Sequence, residues 1–210
     1  MAPVNGRPFL QHQLDFWIGQ GISRFVLSVG YKHEAITGHF GSNYRGAEIR
    51  YAIEDRPLGT GGGLLLAAHC LLDHEPFLVL NGDTYFEVGL EALREFHSAN
   101  HADVTLALFR TQVDGRYMEV RTGPHGDILD LKSAAGIKGG LANGGVYLIE
   151  RIVLESVSWN RRSPLSLEDD ILPTAARAGA RLMGFECNGR FIDIGVPEDY
   201  AKAAGFLAAS

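Results

Sequence analysis

The first hundred residues alternate between short apolar runs and segments of helical spacing, and this rhythm constrains the fold more than any other feature. Pro8 suits the first turn of a helix. Leu10, Leu14, Trp17 and Ile18 then recur at helical spacing, with Gly21 as a stop and Trp17 assigned to the core. Residues 24–30 ("RFVLSVG") read as a buried strand, 32–40 as a short helix and 47–54 ("AEIRYAIE") as an alternating strand. A helix opening on glycines follows over 61–72, a strand over 76–83 and a helix over 90–100. Strands that alternate with helices predict a parallel sheet covered on both faces.

The second half changes character. Residues 103–110, 117–122, 127–132 and 141–150 read as strands with short connections. A helix is expected from about residue 168 to 177. Residues 181–187 and 190–195 suggest a final hairpin, and 197–209 a closing helix with Pro197 in its first turn. No repeat or linker interrupts the chain, so one domain over 1–210 is expected. Doubly wound folds usually begin on a strand, whereas this chain begins on a helix. A first strand is expected to be missing; since its absence would leave buried sheet edges unpaired, either something fills the gap or an N-terminal piece of the natural protein is lacking.

Composition narrows the partners. A length of 210 residues, 46% hydrophobic and 21% charged, is that of an ordinary globular chain. A formal net charge of −6 argues against a nucleic-acid partner. Local Gly and Lys groups can still bind the phosphate of a nucleotide or sugar. Cys70 and Cys187 read as free thiols. No apolar run reaches membrane-spanning length and no signal peptide is legible, so a cytoplasmic location is expected.

Three segments carry chemistry. In "EDRPLGTGGGLLLAA" (54–68), four glycines between 59 and 63 expose backbone N–H groups at a helix start, a place for an anion or for a flat base near main chain. The alternative is a glycine-rich turn that only lets strand and helix pack closely. No Gly-Lys-Ser/Thr follows, and the third glycine of a dinucleotide fingerprint falls at Leu64. Asp83 follows the strand and Gly82, where a carboxylate suits a hard divalent cation bridging phosphates. Asn-Gly-Asp-Thr is equally good turn material. Asp193 lies between Ile192 and Ile194 on the opposite strand face, either a ligand or a solvent-facing residue. His97 and His101, four apart, allow a helical metal pair, but with no further Cys or His nearby they are expected on the surface.

Taken in order, "LGTGG", "VLNGD", "NGGVYL" and "FIDIGVPEDY" resemble the sugar-nucleotide pyrophosphorylases over almost the whole chain. "MAPVNGRPFLQHQLDFW", "VLSVGY", "LNGDTYF" and "SLEDDILP" are most similar to the D-glycero-D-manno-heptose 1-phosphate guanylyltransferase branch. The resemblance implies an α/β fold with a Rossmann-like, mixed and mainly parallel sheet flanked by helices. Residues 1–100 would form a nucleotide-binding half and 101–210 a β-rich sugar-binding half. The implied reaction joins a nucleoside triphosphate, GTP favoured, to a sugar 1-phosphate, heptose 1-phosphate favoured, and releases pyrophosphate. Mannose 1-phosphate guanylyltransferase and sugar 1-phosphate uridylyltransferase activities are the neighbouring alternatives. By the resemblance, Asp83 and Asp193 hold Mg²⁺, and Gly59, Thr60, Gly61 and Gly62 lie against the nucleotide. Gly82, Asn143, Gly144 and Glu168 meet the sugar, and Lys132 is the candidate to replace the family's Glu-Lys near Ser133 and Ala134. Met118 stands where the family usually has glycine. The family's Gly-rich loop and Pro-Lys-Pro segment belong just before Met1. Without its donors, each worth about 10²–10³ in rate, a chain starting at Met1 is expected to be nearly inactive, or a non-catalytic sugar-nucleotide-binding or regulatory remnant. An oligomer is compatible with all of this.

Overall fold

The chain, in a computed structural model that describes residues 1–71, 75–132, 137–155, 157–159 and 163–208, divides into two units that interleave along the sequence. The first holds Met1–Asp73, Trp159–Ile171 and Ala201–Ser210, and the second His74–Ser158 and Leu172–Tyr200.

The first unit opens with a small hairpin, β1 (Pro3–Val4) and β2 (Arg7–Pro8). Asn5 and Gly6 turn it at positive φ, 50° and 74°. Pro8, with φ −55° and ψ 139°, precedes helix α1 (Phe9–Gly19) rather than entering it. Phe9, Gln13, Leu14 and Trp17 form its buried face. Strand β3 (Arg24–Val29), helix α2 (His33–Phe40), strands β4 (Asn43–Tyr44) and β5 (Ala47–Ile53) and helix α3 (Gly59–Ala68) follow. β3 and β5 are parallel, from Arg24 opposite Glu48 to Val29 opposite Ile53, and β4 adds an antiparallel strand to β5. Leu14, Phe40 and Ile49 are the buried centre, with Phe25, Leu27 and Ile36 packed around them. A π-helical turn, Leu167–Ile171, belongs to this unit as well.

The second unit contains β6 (Phe77–Leu80), β7 (Thr84–Phe86), α4 (Leu90–Ala99), β8 (Val104–Arg110), β9 (Glu119–Thr122), β10 (Ile128–Lys132), β11 (Leu141–Ile149), α5 (Arg151–Glu155), α6 (Leu172–Arg177), β12 (Leu182–Glu186) and β13 (Phe191–Asp193). Helix α7 (Pro197–Ala208) starts here, and its residues from Ala201 onward count with the first unit. The main sheet runs β10-β9-β11-β8-β12, with β6 also on β11. Its strand β8 is buried from Val104 to Phe109, as a strand covered on both faces must be. β11 is irregular between Asn143 and Tyr147. Ala142 pairs with β9, whereas Val146 to Ile149 pair with β6.

The mixed α/β class is as expected, but the pairing within it is more antiparallel than the rhythm predicted. Only β3 with β5 and β8 with β12 run parallel among the described ladders. The apolar run of β6 matches the equally apolar end of β11, which it meets antiparallel. The expected final hairpin does not form. β12 lies parallel to β8, burying Leu182 and Met183, while β13 pairs with β7. The chain does bend at Gly189, yet the ladder goes elsewhere: the Glu87 amide donates to the Arg190 carbonyl at 3.0 Å. His97 also departs from expectation. Leu90, Leu93 and His97 form the buried stripe of α4. The imidazole lies against Thr105 Oγ1 on β8 at 2.8 Å and Glu150 Oε1 at 3.4 Å. Its buried polarity is thus matched by partners, while His101, at φ 48°, stays exposed beyond the helix.

Candidate functional site

Strand pairing explains why Asp83 and Asp193 meet. β7 and β13 form a two-stranded antiparallel ribbon with Phe191 opposite Phe86, Ile192 opposite Tyr85 and Asp193 opposite Thr84. One further rung continues it, the Ile194 amide donating to the Asp83 carbonyl at 2.8 Å. Both aspartates therefore lie at the same end of one ribbon. The space beside Gly195 measures how closely they converge. A β-carbon placed on Gly195 would lie 3.0 Å from Asp193 Oδ1 and 3.3 Å from Asp83 Oδ2. One oxygen of each carboxylate thus lies close to the same point, so the two side chains are neighbours at the end of the ribbon. Two oxygen donors of this hardness fit Mg²⁺ or a similar cation. Among the described residues, no group of three or more His, Cys, Asp or Glu side chains is placed to hold a metal. The remaining ligands of such an ion would come from water and phosphate, as Mg²⁺ commonly has them.

The ribbon is anchored at its far end. Arg190 grips Glu87 through Nε at 3.0 Å and a terminal nitrogen at 2.5 Å. These bonds hold the Glu87 carboxyl below its usual range, outweighing the burial that would raise it. Underneath, Phe191 stacks on Phe109 with ring centroids 3.9 Å apart, and Phe86 meets both rings edge-on. Asp193 has partners on each oxygen. Oδ1 accepts the Gly195 amide at 2.7 Å and Oδ2 accepts Arg116 at 3.2 Å. Arg116 also pairs with Asp199 and lies over the Tyr117 ring, 4.7 Å from its centroid.

The other residues singled out in the sequence differ in what holds them. A side chain at Gly82 would meet no protein atom within 4 Å, and its φ is not left-handed, so neither packing nor backbone geometry requires glycine there. Gly144 is different, because a side chain would run into the Phe86 ring. Asn143 is held by its own bulge: Nδ2 donates to the Tyr147 hydroxyl at 2.7 Å and Oδ1 accepts the Gly145 amide at 3.1 Å. Met118 offers its carbonyl to the Asn143 amide at 3.1 Å. Lys132, exposed at the end of β10, pairs with Asp130 at 3.3 Å. Ser133 and Ala134 lie outside the described residues.

Gly59, Thr60, Gly61, Gly62 and Glu168 belong to the first unit. The amides of Gly61 and Gly62 are engaged rather than open, both donating to the Leu165 carbonyl, at 2.8 and 3.2 Å. A side chain on Gly59, at φ 77°, would come within 2.5 Å of that carbonyl. One on Gly61 would strike Ser166 and Ile171, and one on Gly62 the Trp159 ring, each at 2.9 Å. Close packing thus accounts for these glycines. Thr60 donates to Glu168 Oε2 at 3.1 Å and accepts the Leu167 amide at 2.9 Å, tying the π-helical turn to the start of α3.

Sequence reasoning missed Arg116, Glu87 and Arg190. Arg116 stands in the "RYMEV" stretch beside a tyrosine, and nothing local signals that it reaches two aspartates. Cys70 and Cys187 are free thiols, and burial followed by the nearby Glu186 pushes Cys187 up to about 12. Among the described residues, no helix is long and apolar enough to cross a membrane.

Comparison with known proteins gives a consistent family pattern. The family model described as Nucleotidyl transferase matches residues 1–210. The chain is 38% identical over 203 residues to a D-glycero-alpha-D-manno-heptose 1-phosphate guanylyltransferase of Aneurinibacillus thermoaerophilus, covering 97% of this chain and 86% of the relative. A mannose-1-phosphate guanylyltransferase of Mycobacterium tuberculosis is 31% identical over 99% of this chain and 58% of its own length. The crystal structure of HddC from Yersinia pseudotuberculosis complexed with GMP-PN superposes with a TM-score of 0.85, at 29% identity, over 98% of this chain and 88% of that one.

Proposed function

The chain belongs to the nucleotidyl transferase family, and from that premise we propose that it transfers the guanylyl group of GTP to a sugar 1-phosphate, with D-glycero-D-manno-heptose 1-phosphate the preferred acceptor. The observation that carries this reading is the convergence of Asp83 and Asp193 on one point beside Gly195. The choice of base and sugar leans on the relatives with that activity, at 38% and 34% identity.

The reaction is an in-line displacement. A phosphate oxygen of the sugar 1-phosphate forms a bond to the α-phosphorus of GTP, the bond from that phosphorus to the bridging oxygen breaks, and pyrophosphate leaves with the electron pair. Such chemistry needs positioning and charge neutralisation more than covalent help. Asp83 and Asp193 would hold Mg²⁺, which when bound supplies positive charge to the phosphates. Gly82 leaves open space beside the pair for a ligand. Asn143, oriented by Tyr147 and the Gly145 amide, keeps one N–H and one lone pair for sugar hydroxyls. Gly144 contributes main chain, Lys132 a cation for the sugar phosphate, and Glu168 a carboxylate acceptor for hydroxyls. Gly59, Thr60, Gly61 and Gly62 serve nucleotide binding through the shape of the loop that they pack, since two of their amides are already engaged.

The test is pyrophosphate release and GTP binding with the chain carrying a Gly-rich, Pro-Lys-Pro-ending segment ahead of Met1, alone and with Asp83→Asn or Asp193→Asn. The expected result is Mg²⁺-dependent release with GTP and heptose 1-phosphate, faster than with mannose 1-phosphate or UTP, and a loss of about 10²–10³ in each variant. GTP binding without release would favour a non-catalytic nucleotide-binding protein. Full activity in both variants would sink the assignment of the pair.

A further inference from the structure

Arg116 occupies a position that the displacement itself does not use. Its guanidinium bridges Asp193 Oδ2, at 3.2 Å, and Asp199 Oδ2, and a weaker contact reaches the Asp193 carbonyl at 3.5 Å. All three side chains are largely shielded, with 25% of Arg116, 21% of Asp193 and 15% of Asp199 exposed. The guanidinium is also pinned from below by Tyr117, itself edge-on to Phe109 and Phe191 at 5.1 and 5.6 Å. This is a built arrangement on a packed aromatic base and differs from a surface ion pair.

The division of the Asp193 carboxylate decides what the arrangement does. Arg116 holds Oδ2, and Oδ1, which accepts the Gly195 amide at 2.7 Å and has a second lone pair, lies near Asp83. A guanidinium and a metal ion can therefore bind the same carboxylate at once, on different oxygens. We propose that Arg116 is a resident counter-cation for this site: it offsets part of the negative charge of Asp193 and Asp199 when no metal is bound and weakens the hold of Asp193 on the metal when one is. The inference rests on Asp83 and Asp193 being the metal pair.

The physics has two sides. Shielded carboxylates without a cation are costly, because the local dielectric is low and each must give up water. Arg116 offsets that cost in the metal-free protein. Two cations on one carboxylate also repel each other, so the guanidinium lowers the affinity of the pair for a divalent ion. A loosely held ion would be free to arrive and depart with the phosphates of the nucleotide and pyrophosphate. Such behaviour suits a reaction whose products must both leave.

The experiment uses the full chain with Arg116→Gln and Arg116→Lys, thermal melting with and without saturating Mg²⁺, and Mn²⁺ titration followed by the electron paramagnetic resonance of the free ion. In the absence of metal, Arg116→Gln should melt about 5 °C below wild type, and Mg²⁺ should recover more than half of the deficit. By linkage, Mn²⁺ should bind to this variant roughly threefold to tenfold more tightly than to wild type. Arg116→Lys keeps the charge but not the fork, and should show the same two effects at smaller size. It carries the comparison if the glutamine variant does not fold. A melting deficit unchanged by Mg²⁺, or Mn²⁺ affinity that is equal or weaker in the variants, overturns the proposal. Failure of wild type to bind Mn²⁺ at all overturns instead the assignment of the carboxylate pair, and the inference with it.

Discussion

A single methyl group can test the carboxylate pair without replacing either carboxylate. Gly195→Ala adds a carbon 3.0 Å from Asp193 Oδ1 and 3.3 Å from Asp83 Oδ2. Gly195 has no left-handed φ, so alanine meets no backbone strain. Of the neighbours it meets, those nearest are the ends of side chains, which can give by a few tenths of an ångström. The folding cost should therefore stay within about 1 kcal/mol, or about 2–4 °C in melting temperature for a chain of this size. The cost to a shared cation is larger. Metal–oxygen bonds to Mg²⁺ are about 2.0–2.1 Å, and an ion between the two oxygens needs open room for its waters or phosphate ligands. A methyl group in contact with both oxygens takes up space that those ligands need, or else pushes the oxygens apart. Either way, Mn²⁺ affinity should fall at least about tenfold, close to 1.4 kcal/mol, while circular dichroism and melting stay near wild type. Titration of Mn²⁺ against free-ion resonance reads the effect directly. Wild-type affinity in a folded Gly195→Ala protein would refute the idea that the two aspartates share an ion at this point.

Two other predictions concern residues around the pair. Glu87 has a folded-state pKa depressed first by its hydrogen bonds to Arg190, so its stabilisation is complete above the ordinary carboxyl value near 4.5 and is lost as pH falls through that value toward the lower folded one. Part-exposed as the pair is, the contribution should be about 1 kcal/mol or less. Urea melts of wild type and Glu87→Gln between pH 3 and pH 7 should converge at the acid end and separate above it, and parallel curves would refute the linkage. Gly82→Ala should leave stability unchanged or raise it by up to about 1 kcal/mol, since a methyl there meets no protein atom. The same change should raise KM for the sugar phosphate or the nucleotide; unaltered steady-state kinetics would show that no ligand uses the space.

The legible parts of this fold are those that local pattern decides. Apolar runs locate β3, β6 and β8, and helical spacing locates α1 and α4, because burial on one face repeats at short range. Asp83 stands out through its place after a strand and a glycine, and Asp193 through a polar residue between two isoleucines. The family resemblance joins them, and the ribbon shows the local means. What the sequence hides depends on choices between distant partners. Asn188-Gly189 announces a turn but not that β13 will pair with β7. His97 looks like one of two surface histidines until Thr105 and Glu150 close around it. Arg116 carries no motif, and its meaning comes from Asp193 and Asp199. The glycines of 59–63 are conspicuous, yet their purpose is ambiguous: a helix start open to an anion and one pressed against the Leu165 carbonyl use the same residues.

The β7–β13 ribbon has only three paired positions in its ladder, too few to hold a register unaided. Its alignment comes from the rings beneath it, where Phe86, Phe109, Phe191 and Tyr117 interlock. A slip by one residue would turn the Asp193 side chain to the other face, and its oxygen would part from that of Asp83. The proposed phosphate chemistry thus depends on hydrocarbon shape: four rings packed with a short ribbon decide whether two distant acids can act as one.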